Sequence, residues 1–138
     1  MEHSDALLLL QTEGVLLRPW VLMELFAAVN HHVPIIPILL HGAGYSFDAA
    51  KATLADLPAA LSARNPGALR MLEQLAEDAG ASVEQIGAAL GGILPNIIAV
   101  DFNPRGTDNH VHAAVADIVN KLRHHAVVLR SGRRTASR

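Results

Sequence analysis

The residue best suited to chemistry in this chain is a carboxylate inside an apolar helical segment. Between Pro19 and Val29 only Glu24 carries a charge, and the single tryptophan, Trp20, stands one helical turn before it. A surface helix normally shows several charges on its outer face. Such a segment is therefore covered on both sides, or its second face meets a partner or a ligand. The plainer alternative is a carboxylate exposed to water.

The histidines raise the question of a metal site. The chain has eight of them and no cysteine, which excludes disulfides and thiolate ligands. Neighbours in a helix point about 100° apart, so an adjacent pair offers at most one ligand to a given site. We predict no metal site and interpret the adjacent pairs as helix-end residues that complement the helix dipole. These pairs are His31 with His32 and His124 with His125.

Length and composition limit the function classes further. A chain of 138 residues forms one domain, and its 51% hydrophobic content is ample for a core. The formal net charge of −2 gives no electrostatic case for nucleic acid. No apolar run reaches the roughly 18 residues of a membrane span, and the first residues lack the basic region of a secretory signal. We expect a cytoplasmic protein with neither a membrane nor a nucleic-acid partner.

The segments on either side of Glu24 follow a strand–helix–strand pattern. Residues 6–11 are an uncharged apolar run, typical of a strand buried on both faces of a parallel sheet. Residues 33–40 form a second such run, whose two prolines indicate an edge strand or an incomplete ladder. Pro19 suits the first turn of the helix between them. The apolar stripe of that helix consists of Leu22, Leu25, Phe26 and Val29.

The rest of the chain is predicted to be mainly helical. Helices are expected over residues 49–61, 66–79 and 82–90, and a third strand over residues 96–102. Asn65 is a candidate cap, Gly80 a stop, and Ser82 with Gln85 a capping box.

A final helix, capped by Asp108 or Asn109, is expected after the third strand. Its stripe is Val111, Val115, Ile118, Val119 and Leu122. The basic residues 127–138 show no packing pattern and are predicted to be a disordered tail that follows a domain of residues 1–126.

Three parallel strands make a small sheet, and the first strand is expected to have a free edge. Exposed apolar edges invite pairing. We therefore expect the chain to be a piece of a larger domain, or to be completed by a second molecule.

In the order of these elements, the chain resembles the C-terminal part of a Toll/interleukin-1 receptor (TIR) domain. The matching text is the strand over residues 4–10, the Arg18–Pro19–Trp20 start of the helix with Glu24 and Leu25, and the Val–Pro–Ile–Ile–Pro–Ile run of residues 33–38. The match is strong over about residues 4–45 and extends to residues 96–125 by order only. The resemblance implies a flavodoxin-like α/β fold with a parallel sheet, here incomplete, with about three strands and with extra helices before the last strand.

The resemblance implies two functions. Many TIR domains assemble with one another in innate-immune or cell-death signalling, and this is the leading expectation, with a homo-oligomer or other TIR domains as partners. The expected contact residues lie on the helix that carries Glu24 and are Arg18, Pro19, Trp20, Met23, Ala27 and His31.

Other domains of similar fold hydrolyse NAD⁺, with the glutamate of the Trp–x–x–x–Glu motif as the key residue. That glutamate maps onto Glu24, and Trp20 would then contribute to substrate binding. A fixed carboxylate suits this chemistry because cleavage of the nicotinamide–ribose bond develops oxocarbenium-like charge. No bound cofactor is expected, and NAD⁺ would be a substrate. A third possibility is a flavodoxin-like binding module without a signalling role.

Overall fold

The structure is a computed structural model that describes residues 6–136, with side chains as far as residue 122. Its strands are β1 (Leu7–Gln11), β2 (Ile35–Leu40) and β3 (Val100–Phe102). Its helices are α1 (Pro19–Asn30), α2 (Phe47–Ala55), α3 (Leu57–Arg64), α4 (Pro66–Asp78), α5 (Val83–Ile93) and α6 (Asp108–Ala136). Two short 3-10 helices, Val15–Leu17 and Leu94–Asn96, precede α1 and β3.

The three strands form one parallel sheet in the order β1-β2-β3. Leu7 lies opposite Ile35 across the first pair, and Ile38 lies opposite Val100 across the second. Helices connect each strand to the next. The prediction of an α/β fold with a small parallel sheet, corresponding to part of a flavodoxin-like arrangement, is confirmed.

The core lies between one face of the sheet and the helices α1 to α5. Leu9 and Ile35 enter it from the sheet, and Leu22 and Leu25 enter it from α1. Most of the largest side chains with almost no exposed surface belong to this layer, so the helices hold β1 and α1 in place. They include Leu57, Leu61, Leu72, Ile86 and Leu90.

The opposite face of the sheet is covered unevenly. α6 packs against β3 and buries Ala114. On β1, however, Leu8 and Leu10 remain 44% and 50% exposed. The prediction that the first strand is buried on both faces is therefore wrong among the described residues, where α6 packs against β3 at the other edge of the sheet.

β3 is shorter than predicted, and Pro37 explains why. The expected strand over residues 96–102 begins only at Val100. The amide of His41 donates to the carbonyl of Phe102 at 3.0 Å, so alternate residues of β2, including Pro37, face β3. Pro37 has no amide hydrogen, so the carbonyl of residue 98 has no donor with which to continue the hydrogen-bond ladder between β2 and β3. β2 is thus a central strand with an incomplete ladder, and not an edge.

The helix expected over residues 49–61 is divided in two. α2 ends at Ala55, and α3 begins at Leu57. Pro58 accounts for the break, because a proline removes one helical hydrogen bond and its ring clashes with the carbonyl four residues earlier. The side chain of Asp56 accepts a hydrogen bond from the amide of Ala59 and so caps α3.

Other predicted helix boundaries agree with the structure. Asn65 caps α4 by accepting from the amide of Ala68 at 3.3 Å. Ser82 and Gln85 form the expected capping box, with hydrogen bonds of 2.8 and 3.2 Å. Gly80, just past the end of α4, has a φ of +74°, a left-handed conformation that suits glycine.

The final helix differs from the prediction at both ends. Thr107 caps α6, because its hydroxyl accepts a hydrogen bond from the amide of His110 at 3.2 Å. The predicted caps were Asp108 or Asn109. The helix then continues to Ala136, beyond the predicted start of an unstructured tail at residue 127. How residues 123–136 pack lies outside the described side chains, as do residues 137 and 138 altogether. The predicted stripe is only partly buried, since Val115 is 46% exposed.

Within the described part of the chain, no helix has the length and apolar character needed to cross a membrane.

Candidate functional site

α1 carries the residues that the sequence singled out. Arg18 precedes it with an extended backbone, and Pro19 occupies its first turn. Leu22 and Leu25 are buried, at 0% and 1% exposure, as the stripe predicted. Glu24 lies on the far side of this stripe and is exposed. The helix therefore fixes the position of Glu24 through its buried face while leaving the carboxylate accessible.

Glu24 lines an open groove of about 480 Å³ along the free edge of the sheet. One wall is the edge strand β1, and the other is the side of α1. Arg18 and Glu24 line the helical wall with Val21 midway between them in sequence, so the groove holds one cation and one anion on the same helix. Glu13 adds a second carboxylate from the loop after β1. A groove of this composition can bind a polar ligand or a partner with charges of both signs.

Trp20 lies outside this groove. Its side chain is 62% exposed on the outer face of α1 and is not part of the groove lining. The structure therefore does not bring Trp20 over the carboxylate of Glu24 as a wall of one pocket. The remaining predicted contact residues lie around it. Arg18 and His31 are exposed, and Pro19, Met23 and Ala27 are half-buried.

The outer edge of β1 pairs with no other strand among the described residues. The amide of Leu7 donates to the carbonyl of Pro34 at 2.9 Å, so Leu7, Leu9 and Gln11 direct their backbone groups towards β2. Leu8 and Leu10 direct theirs outwards. This edge consequently presents two amides and two carbonyls next to two exposed leucine side chains.

A second, smaller cleft lies at the carboxyl ends of β1 and β2. It has a volume of about 160 Å³, and its lining includes Tyr45, Thr53 and Arg64. Burial raises the pKa of Tyr45 above its usual 10, and a hydrogen bond with the side chain of Gln11 partly offsets this. Gln11 is 5% exposed, and its Oε1 atom has no hydrogen-bond partner among the described residues.

Sequence reasoning missed this cleft. The available signal was Gln11 itself, a polar residue at the end of a run of leucines that proves to be buried. Gly42 and Gly44, which follow β2, have φ values of +79° and +76°, left-handed conformations that favour glycine.

Two of the histidines with described side chains form hydrogen bonds within the fold. Nε2 of His110 accepts from the amide of Asn103 at 3.1 Å and so closes the loop before α6. His41 pairs with Asp101 on the surface. His32 has a left-handed backbone, with a φ of 56°, at the end of α1. Over the described residues, no three histidine, aspartate or glutamate side chains come together as metal ligands would.

The groove beside Glu24 and the unpaired edge of β1 are thus one continuous surface, since residues Leu7 to Leu10 line both. Trp20 lies on the adjoining outer face of α1. In comparisons with protein-family models, with curated proteins and with solved structures, no match to this chain was found.

Proposed function

We propose that this protein is an assembly module of the TIR type that acts in cytoplasmic, innate-immune-like signalling through contacts between like domains. The observation that carries the proposal is the free edge of β1, where Leu8 and Leu10 are 44% and 50% exposed. An uncharged, unpaired apolar edge strand is a ready site for association with another chain.

The outer face of α1 supports the same proposal. Trp20 is 62% exposed, and tryptophan is among the residues that contribute most to protein–protein interfaces. Met23 and Ala27 continue this face with small and flexible apolar side chains. The two surfaces adjoin along α1, so one partner can cover both.

Light scattering at rising protein concentration tests this proposal. We expect the wild-type protein to self-associate, and the Trp20→Ala variant to associate more weakly because it loses a large contact side chain. Phe47→Ala is the matched control, since Phe47 is a similarly exposed aromatic residue (53%) on α2 that does not line the groove. A wild-type protein that stays monomeric at all concentrations would contradict the proposal.

A second candidate function is NAD⁺ hydrolysis with Glu24 as the catalytic carboxylate. The observation in its favour is the groove of about 480 Å³, in which Glu24 and Arg18 both take part. Binding clefts for small molecules commonly have volumes of roughly 300–1,000 Å³. Glu24 would stabilise the positive charge that develops on the ribose as nicotinamide leaves, and Arg18 is a candidate for phosphate binding.

Release of nicotinamide from NAD⁺ tests this second function. If it is correct, the wild-type protein releases nicotinamide and the Glu24→Gln variant loses most of this activity. Glu77→Gln, an exposed glutamate on α4, is the control and should leave the activity unchanged. Equal inertness of the wild type and the Glu24→Gln variant in every oligomeric state would exclude hydrolysis. If both tests are negative, a binding module without a signalling role gains support.

A further inference from the structure

We infer that two copies of this chain join through their β1 edges, antiparallel about a two-fold axis that passes beside Leu9. This inference rests on the proposed assembly function and names its partner and geometry. The result would be a continuous six-stranded sheet, formed from the three strands of each copy. A symmetric pairing of this kind closes the assembly at a dimer.

The backbone of β1 is self-complementary in this arrangement. Within Leu7–Gln11, Leu8 and Leu10 are the residues whose amides and carbonyls point outwards, and Leu9 is the central residue of the strand. A two-fold axis beside Leu9 sets Leu8 of one copy opposite Leu10 of the other. Two residues opposed in this way exchange both of their hydrogen bonds. All four outward-facing groups would thus be satisfied in each copy.

The side chains of the exposed edge fit the same symmetry. An axis perpendicular to the sheet keeps the two faces of both copies aligned. The exposed Leu8 and Leu10 of each copy would then form one patch of four leucines on the face that α6 leaves open over β1. Cross-strand apolar pairs of this kind stabilise antiparallel strands.

The two charges that α1 contributes to the groove are also self-complementary. Arg18 and Glu24 both line the helical wall of the groove, three residues before and three residues after Val21. The two-fold axis sets the α1 helices antiparallel to each other across the joined groove. If Val21 of one molecule lies opposite Val21 of the other, Arg18 of each molecule lies opposite Glu24 of its partner. An unrelated strand would satisfy the backbone but would not in general supply both charges, so a second copy is the favoured occupant.

Cysteine cross-linking tests the register directly, because the chain has no cysteine of its own. In the inferred pairing, residues 8 and 10 of different copies are directly opposed at about 5.5 Å between Cα atoms, within the range of a disulfide. Residues 8 and 8, or 10 and 10, lie on the diagonal at about 7–8 Å, beyond that range.

The disulfide-linked dimer is expected only when the two cysteine variants are mixed. Under mild oxidation, Leu8→Cys mixed with Leu10→Cys should give a disulfide-linked dimer, whereas either variant alone should give little. Both side chains are already substantially exposed, so the variants should fold. Equal cross-linking in all three samples, or none in the mixture while the wild type associates, would overturn the register.

Charge reversal tests the pairing of the two α1 helices. Arg18→Glu and Glu24→Arg should each weaken the dimer by about tenfold or more, because each creates like-charge contacts. The double variant carrying both changes should recover most of the affinity, since α1 again presents one charge of each sign to the groove. Because both residues are exposed, neither change removes a buried contact.

The outcomes separate this inference from the function on which it rests. Association that is sensitive to Trp20→Ala but unaffected by these cysteine and charge variants would leave the assembly function standing and overturn the β1 dimer. A monomeric wild-type protein would overturn both. Loss with the single charge reversals and recovery in the double variant would support both.

Discussion

The two edges of the sheet differ in almost every feature that controls strand pairing. β1 has five residues, no charge and no proline, and its Leu8 and Leu10 side chains are partly exposed. β3 has three residues and carries Asp101, which pairs with His41 on the surface. Short length and charge are common protections of an edge strand.

The comparison indicates where this protein can accept a partner. At β3 only Asp101 directs its backbone groups away from β2, because His41 bonds to Phe102 on the inner side. At β1 the corresponding groups of Leu8 and Leu10 pair with no other strand in the part of the chain that the structure describes. Within one small sheet, therefore, one edge is protected and the other is open. Four experiments test this contrast, and they are taken from the largest expected effect to the smallest.

The inner and outer sides of β1 should respond very differently to truncation. Leu9 is 4% exposed in the core, so Leu9→Ala should lower the free energy of unfolding by about 2–5 kcal/mol. Leu8 is 44% exposed, and Leu8→Ala should cost less than about 1 kcal/mol in the monomer. Urea unfolding at concentrations below self-association measures both. Equal losses would mean that the outer side of β1 is covered after all.

Charging the open edge should abolish association without unfolding the protein. Leu8→Lys combined with Leu10→Lys introduces the kind of protection that natural edge strands carry. We expect sedimentation analysis to show a monomer with a circular dichroism spectrum like that of the wild type. The control is Ile98→Lys, because Ile98 is an exposed apolar residue (81%) directly before the other edge strand. An equal loss of association in the control would contradict the contrast between the edges.

Pro37→Val should lengthen β3, the protected edge strand. The new amide faces residue 98, and its hydrogen bond contributes about 0.5–1.5 kcal/mol. Loss of the proline offsets this by about 0.4–1 kcal/mol through the entropy of the unfolded chain. Stability should therefore change little, while hydrogen exchange detects a slowly exchanging amide at position 37. Rapid exchange there, beside a slow amide at Leu39, would show that another cause shortens β3.

Removal of the surface pair on β3 should have the smallest effect. The side chains of His41 and Asp101 are 46% and 58% exposed, and such pairs contribute at most about 1 kcal/mol. Asp101→Asn should thus reduce stability by less than that amount, and by less still in high salt. Urea titrations at two salt concentrations measure the difference. A larger, salt-independent loss would assign Asp101 a role beyond the ion pair.

Local patterns in the sequence were sufficient for the order of elements. The apolar runs predicted β1 and β2, and Pro19 predicted where α1 begins. The division between α2 and α3 was not predicted, although Pro58 inside the expected helix was a local signal for it. These features depend on residues within a few positions of each other, which explains why the local sequence carries a signal for each.

The remaining features depend on residues far apart in the chain. β3 is short because of Pro37, some sixty positions earlier. The sequence pattern of β3 alone does not show which backbone amides the neighbouring strand β2 can offer it. The groove beside Glu24 exists because α1 and β1 stand side by side at an open edge. Trp20 lies on the same helix as Glu24, as predicted. The rotation around the helix axis between these two positions places Trp20 outside the groove.

Pro37 also has a consequence for the cooperativity of the fold. β3 is attached to β2 only through Ile38 to Leu40, whereas β1 is paired along its full length. β3 and the start of α6 therefore form a unit that can detach at a lower free energy than global unfolding. Its departure would remove Val100 from beside Ile38, which is now 5% exposed. A single missing amide hydrogen thus limits how firmly the second edge of the sheet is held.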